Sequence, residues 1–319
     1  MSYTTLKGFD DLSDKSTSDI IGDNIIQFLD WGFINKGGIV NITTPTSGLY
    51  AGDKSILKPR DDPRFDEGQV WSSFVKGWIW ESGLSNSQPI SISGVTVNDI
   101  FYTKDDSQYG HYYDYPNGRV IFDSGLPLSS SVKLNYSYRY IQVVNDREYD
   151  YFRRVQEEAY RVDDEHFSQY SSGNWDVLSE NTVQGPTISV ESLPINRTQP
   201  YALGRGMRWG NNTLKCYILT EDYATNVKIA DILVDQKEKT LYAFDSNLIA
   251  ESGDFPLDYR GMVTDTAKTY PRLVDESING GYRYNKIYIK ETDSQPVQQI
   301  GNIFLSTVKL TTEILLSKL

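Results

Sequence analysis

Between Val132 and Tyr140 every second residue is apolar or aromatic. Val132, Leu134, Tyr136, Tyr138 and Tyr140 alternate with Lys133, Asn135, Ser137 and Arg139. A period of two puts one set on each face of a pleated strand, so the segment reads as a half-buried strand with one wet face. Antiparallel sheets are the ones that leave a face to water. A hairpin signal lies just upstream. Tyr112-Tyr113-Asp114 and Arg119-Val120-Ile121-Phe122 flank Tyr115-Pro116-Asn117-Gly118. Pro at the second turn position, then Asn and Gly, predicts a type I turn closed by a left-handed glycine. Val70-Trp71, Trp78-Ile79-Trp80 and the series Ile90, Ile92, Val95, Val97 continue the β texture. Residues 70–144 are therefore expected to form an antiparallel sandwich or barrel.

A helix is expected ahead of this unit. Ile21, Ile25, Phe28 and Leu29 fall at helical spacing, Ser18 or Asp19 is placed to cap them, and Gly32 follows the last turn. Lys58-Pro59-Arg60-Asp61-Asp62-Pro63 reads as a charged loop, since prolines that close together oppose helix and central strand alike. After Asn145 the texture changes. Tyr151, Phe152, Val155, Ala159 and Val162 fit a helical stripe within a charged run, and residues 168–185 are rich in Ser, Gly and Asn. Strands are expected at Thr187–Val190, Thr213–Thr220, Thr240–Asp245, Lys286–Lys290 and Ile303–Ile314, with a helix over Thr225–Gln236. The expected class is mainly β with α+β. Residues 1–145 form a helix plus an antiparallel β-sandwich or barrel, 146–185 a helical connector and loop, and 186–319 an α+β domain with an antiparallel sheet.

The chain has 319 residues, enough for two domains of ordinary size. Its 23 Tyr and 6 Trp against 3 Met and 1 Cys suit strands and contact surfaces, where a ring with a polar tip serves both sides. Net charge is −12 and no basic cluster stands out, so sequence-specific nucleic-acid binding is not expected. A lone Cys216 permits no intrachain disulfide. No segment approaches the ~20 apolar residues of a membrane helix, and the polar start, Met1 to Asp14, lacks an apolar leader core. The expectation is a chain synthesised in a cytoplasm, away from membranes.

Motifs that carry chemistry are weak. His111 and His166 are the two histidines. His166 follows Asp163-Asp164-Glu165, but helical spacing would send those acids to different faces and no second His or Cys pairs with it. A solvated face is the plainer reading. The acidic stretch Asp61 to Gly68 lacks the twelve-residue calcium-loop frame and is interrupted by Pro63. Ser55-Ile56-Leu57-Lys58 and Ser73-Phe74-Val75-Lys76 match Ser-x-x-Lys, but Lys239-Thr240 runs into Leu241, so the companion Lys-Thr-Gly is missing. Gly204-Arg205-Gly206 has neither the third glycine nor the following helix of a phosphate loop. Cys216 sits in an expected strand, where a buried, inert thiol is the default. Trp71, Trp78 and Trp80 read as strand packing before they read as a carbohydrate platform. No catalytic, cofactor-binding or metal-binding residue is assigned, and no cofactor is expected.

A resemblance adds a direction. Val70-Trp71, Trp78-Ile79-Trp80-Glu81, Asp114 to Phe122 and Asn135-Tyr136-Ser137-Tyr138-Arg139-Tyr140 resemble virion structural proteins of tailed bacteriophages. Pro186 to Glu191, Pro200-Tyr201-Ala202-Leu203-Gly204 and the run from Glu221-Asp222 to Ala230-Asp231-Ile232-Leu233 are similar to neck and tail-terminator-like proteins. These are packing and turn residues spread over about half of the chain, so no functional residue is carried over. The resemblance implies a non-enzymatic neck or head–tail connector subunit in a homo-oligomeric ring, six-fold or twelve-fold. Its partners would be other virion proteins: connector, tail terminator, tail tube or sheath. The chain departs from a compact terminator by its extra N-terminal region. The competing expectations are a baseplate or fibre-associated host-recognition protein and a polymer-degrading enzyme.

Overall fold

A computed structural model describes residues 14–44, 54–86, 88–146, 185–195, 197–202, 205–275, 281–300 and 303–316. The fold is mainly β, with antiparallel sheets and a few helices, as the sequence pattern predicts. The expected connecting helix and the loop after it lie almost wholly outside the described residues.

The chain opens on α1 (Thr17–Asn35). Its cap is Ser16, ahead of the expected Ser18 or Asp19. Ser16 Oγ accepts from Asp19 N, and the Asp19 carboxylate accepts from Ser16 N, a reciprocal capping box. Gly32 does not end the helix, which continues to Asn35 and stops at Lys36.

A first group of strands follows: β1 (Ile39–Ile42), β2 (Ile56–Pro59), β3 (Val70–Ser72), β4 (Gly94–Val97), β5 (Ile100–Thr103), β6 (His111–Asp114), β7 (Arg119–Phe122), β8 (Val132–Lys133) and β9 (Tyr136–Arg139). Seven of them form one antiparallel sheet in the order β5-β4-β8-β2-β3-β7-β6, and β1 pairs with β9. Their core holds Trp71, Phe74, Trp78, Phe122, Leu134 and Tyr136, all nearly inaccessible. The expected hairpin is present: β6 pairs with β7 from His111↔Phe122 to Asp114↔Arg119, and Gly118 has φ +65°. Pro59 does not break the sheet as expected. It ends β2 opposite Trp71, so the strand is used up to the proline and the loop begins after it. The alternation from Val132 to Tyr140 is shared between two strands, and its polar side is not uniformly wet. Ser137 is buried, accepting from Ile90 N and donating to Asn41 Oδ1.

The second group is β10 (Gln142–Asn145), β11 (Thr187–Ser192), β12 (Arg197–Ala202), β13 (Arg205–Thr220), β14 (Thr240–Phe244), β15 (Arg283–Ser294), β16 (Gln298–Ile300) and β17 (Ile303–Leu316). With them come α2 (Tyr223–Val234), α3 (Ser246–Ser252) and α4 (Tyr270–Leu273). The sheet runs β10-β11-β13-β17-β15-β14, with β12 beside β13 and β16 beside β17. All pairs are antiparallel except β10 with β11. Leu214, Cys216 and Ile218 of β13 and Val308, Leu310 and Ile314 of β17 point to one face, and α1 and α2 cover that face with Ile21, Ile25, Leu29, Phe33, Ile229 and Leu233. The other face carries Glu191, Lys215, Tyr217, Lys309, Thr311 and Glu313, none fully buried.

This corrects the expected organisation. The helix grouped with the sandwich packs mainly in the other core, and only its C-terminal end, at Trp31 and Ile34, meets Ile79 and Leu84. Asn24, wholly buried, donates to Phe244 O and accepts from Phe244 N, clipping α1 to β14. Ser192 Oγ donates to Ser18 O from β11. Strand β10, counted with the sandwich, also pairs into the large sheet. The sandwich is thus inserted between α1 and β10. No described helix is long and apolar enough to cross a membrane.

Candidate functional site

Where the two cores meet there is a cleft of about 700 Å³. One wall comes from α1 (Asp23, Asp30, Trp31), another from the segment Lys76 to Glu81, and a third from the chain between α3 and α4 (Phe255, Leu257, Lys268). Strand β10 lines it with four consecutive residues, Gln142 to Asn145. Side chains of successive strand residues leave on opposite faces, so the cleft runs along the edge of that strand.

At its base lies a buried ion cluster. Arg139 Nε donates to both Asp30 oxygens at 2.9 and 3.0 Å, Nη1 to Trp78 O at 2.9 Å, and Nη2 to Glu81 Oε1. Glu81 Oε2 accepts from Trp80 N at 3.1 Å. Burial pushes the Glu81 carboxyl above its ordinary range, against the pull of Arg139. Burial also opposes the Arg139 charge, but Asp30 and Glu81 outweigh it and hold the guanidinium above its ordinary value. The groups of this cluster bond to one another and to the backbone of Trp78 and Trp80, so the cluster joins α1 to the segment from Lys76 to Glu81. Across the cleft Lys268 Nζ is paired with Asp254, whose other oxygen accepts from Tyr282 Oη at 2.8 Å. The joint has further stitches: Tyr115 N donates to Gly261 O at 3.2 Å and Ser82 Oγ to Thr266 O at 3.3 Å.

Sequence reasoning missed this site. Asp30, Glu81 and Arg139 are far apart in the chain, and Arg139 occupied a position that alternation assigned to the wet face. The residues weighed individually lie elsewhere. His111 is in the sandwich core, its Nδ1 2.7 Å from Tyr109 O and its Nε2 3.0 Å from Tyr113 Oη, and burial lowers its pKa. His166 and Asp163 to Glu165 lie outside the described residues. Asp62 of the acidic stretch is paired rather than open. It takes Arg64 Nη2 at 2.7 Å and Arg119 Nη1 at 2.9 Å, and Arg119 continues to Asp114. The Arg64 hydrogen bonds, against the cost of burial, hold the Asp62 carboxyl well below the carboxylate range. Ser73 Oγ donates to Val75 O and accepts from Trp78 Nε1, a structural use of the Ser-x-x-Lys serine. Cys216 is fully buried and burial raises its thiol to about 12. Trp71 and Trp78 are core residues, while Trp31 and Trp80 are half-buried on the cleft. Among the described residues no group of His, Cys, Asp and Glu is arranged to hold a metal ion. No protein-family model matches the chain, and no curated protein matches it.

Proposed function

We propose that this chain is a non-enzymatic structural subunit of a tailed-phage virion, closing into a six-fold or twelve-fold ring at the head–tail junction. The observation that carries the reading is the two-sided build of the large unit. Helices α1 and α2 seal one face of the sheet. The opposite face presents long strands bearing Lys215, Tyr217, Lys309 and Glu313 with no described helix over it. A ring subunit needs two different side surfaces, because heterologous contacts close by rotation. Tyr217 and the charge pairs along these long strands suit such surfaces. The resemblance of Pro186 to Glu191, Pro200 to Gly204 and the run from Glu221 to Leu233 to terminator-like proteins points the same way. The net charge of −12 fits a DNA passage, since an acidic lining repels phosphates and lets the duplex slide. Imaging of the intact particle is the test. A ring of this chain between portal and tail tube is expected; its appearance at the distal tip overturns the reading.

One observation favours a second reading, host recognition at a baseplate or fibre. Trp31 and Trp80 line the cleft beside polar groups, as sugar sites require. Titration of the purified protein with host-surface glycans separates the two. Quenching of tryptophan emission that Trp80→Ala abolishes would favour this second reading, and no quenching is expected under the first.

A further inference from the structure

Strand β5 stands at the end of its sheet, so one of its edges faces away from β4. The turn between the two runs through Asn98 and Asp99, both left-handed, at φ +49° and +66°, and sets Val97 opposite Ile100. Asn98 N donates to Ser131 O, on the side away from β5. Backbone groups turn to alternate sides along a strand, so Ile100 and Tyr102 bond to β4 while Phe101 points its N–H and C=O outward. They meet no partner among the described residues. The side chains of Ile100 and Phe101 are 59% and 56% exposed. No Lys, Pro or charge interrupts Ile100-Phe101-Tyr102-Thr103, although such residues are how sheet edges ordinarily guard themselves. An edge left bare beneath large apolar side chains marks a contact surface.

A second bare edge lines the cleft between the cores. Gln142 N donates to Pro186 O at 2.9 Å. In the parallel β10–β11 pair Gln142 and Val144 therefore bond to β11, and Val143 turns its N–H and C=O the other way, along the cleft that it lines. Among the described residues nothing bonds to them. The walls beside this edge are apolar: Ile26 and Trp31 from α1, Phe255 and Leu257 from the chain between α3 and α4. Charges there are matched already, Lys15 with Asp23, Arg139 with Asp30 and Glu81, and Lys268 with Asp254. The cleft thus offers main-chain bonds and apolar walls, the terms on which an uncharged strand is added to a sheet.

We infer that the β4–β5 hairpin of one copy enters the cleft of the next copy and adds β5 to the edge of β10. The inference rests on the ring reading and names its head-to-tail contact. A second copy is the occupant because this chain carries both halves of the contact: a projecting uncharged edge and a recessed apolar one, each on a strand of four residues. With Phe101 opposite Val143 the two exchange both of their outward main-chain bonds. Opposite residues share a face, so the Phe101 ring falls on the side of Val143, toward α1. The turn at Asn98 and Asp99 is already formed, held by Ser131 N donating to Asn98 Oδ1 at 2.9 Å, which keeps the ordering cost low. Hairpin and cleft are different surfaces, as heterologous closure demands.

Sedimentation velocity of the full chain over a concentration series is the test, with two variants at exposed positions. Phe101→Asp spoils the hairpin, and Phe255→Asp spoils the cleft. Wild type is expected to self-associate, and each variant alone to do so about tenfold more weakly or less. A mixture of the two is expected to form one-to-one pairs and stop there, because a single intact hairpin then meets a single intact cleft. That pairing also shows that both variants are folded. Association that survives both substitutions overturns the contact and leaves the ring reading standing. Loss with Phe101→Asp alone means that hairpins pair with one another, and loss with Phe255→Asp alone means that another segment fills the cleft; either result overturns the inference. A wild type that stays monomeric overturns it too, while the ring itself is decided by particle imaging.

Discussion

Gly118 shows how much one residue decides. Its φ of +65° is a conformation that side chains rarely adopt, and a Cβ there would strike the carbonyl of Val75. Gly118→Val is expected to cost about 2 kcal/mol or more, strain and collision together, read as a lower urea midpoint with unchanged slope. Asp62 carries a different burden. It is 4 % exposed and shared by Arg64 and Arg119. Asp62→Asn leaves Arg119 with Asp114 alone and is expected to cost about 3 kcal/mol at neutral pH, since a broken buried pair strands a charge. The folded-state pKa of Asp62 is lowered, so its contribution is present above the ordinary carboxylate range and lost as pH falls through it. The gap between wild type and variant should therefore shrink in acid. Glu81 has the opposite sign: its pKa is raised by burial, so its contribution is present in acid and lost as pH rises through the folded value. Glu81→Gln should cost least where the wild-type residue is ionised. Melting curves across pH for both variants read the two slopes, and equal slopes would contradict the burial described.

At the scale of elements, α1 is the informative one. Its apolar stripe was legible in sequence because period is local, while the cap was misplaced by two or three residues: Ser16 holds it, and Asp19 serves as its capping-box partner. Its docking partner was not legible, because a stripe of Ile21, Ile25 and Leu29 states that something covers it and never what. The hairpin at Gly118 was legible for the same local reason, and the left-handed glycine stands where the sequence placed it. The ion cluster of Asp30, Glu81 and Arg139 stayed hidden because it is assembled by long-range packing, and Arg139 was misread because alternation cannot tell a solvated charge from a buried, paired one. A fragment of residues 185–319 is expected to lack a cooperative melt, since it loses α1 and β10 from the core that Leu214, Val308 and Leu310 share with them. Far-UV circular dichroism during heating would show this, and a sharp transition would mean α1 is dispensable. Ser16→Ala in the full chain should cost about 1 kcal/mol through the lost cap.

For the whole molecule the joint is the question. Arg139 binds α1 of one core to the Trp78–Glu81 segment of the other. Arg139→Ala would leave two buried carboxylates facing each other. It is expected to cost about 3 kcal/mol or more and to split a single thermal transition into two, seen by calorimetry. A single unsplit transition would mean that the loop contacts at Gly261 and Thr266 suffice. The splicing of the sandwich between α1 and β10 has a mechanical consequence. The first described helix and the last described strand are members of one core. A pull applied at α1 and β17 is therefore borne by the α1–sheet contact and by the β13–β17 ladder, which runs from Thr220↔Phe304 to Arg208↔Leu316. The seven-stranded sheet hangs outside that load path like a pendant. It stays slack under tension until the large core yields, free to hold its shape while its neighbour takes the strain.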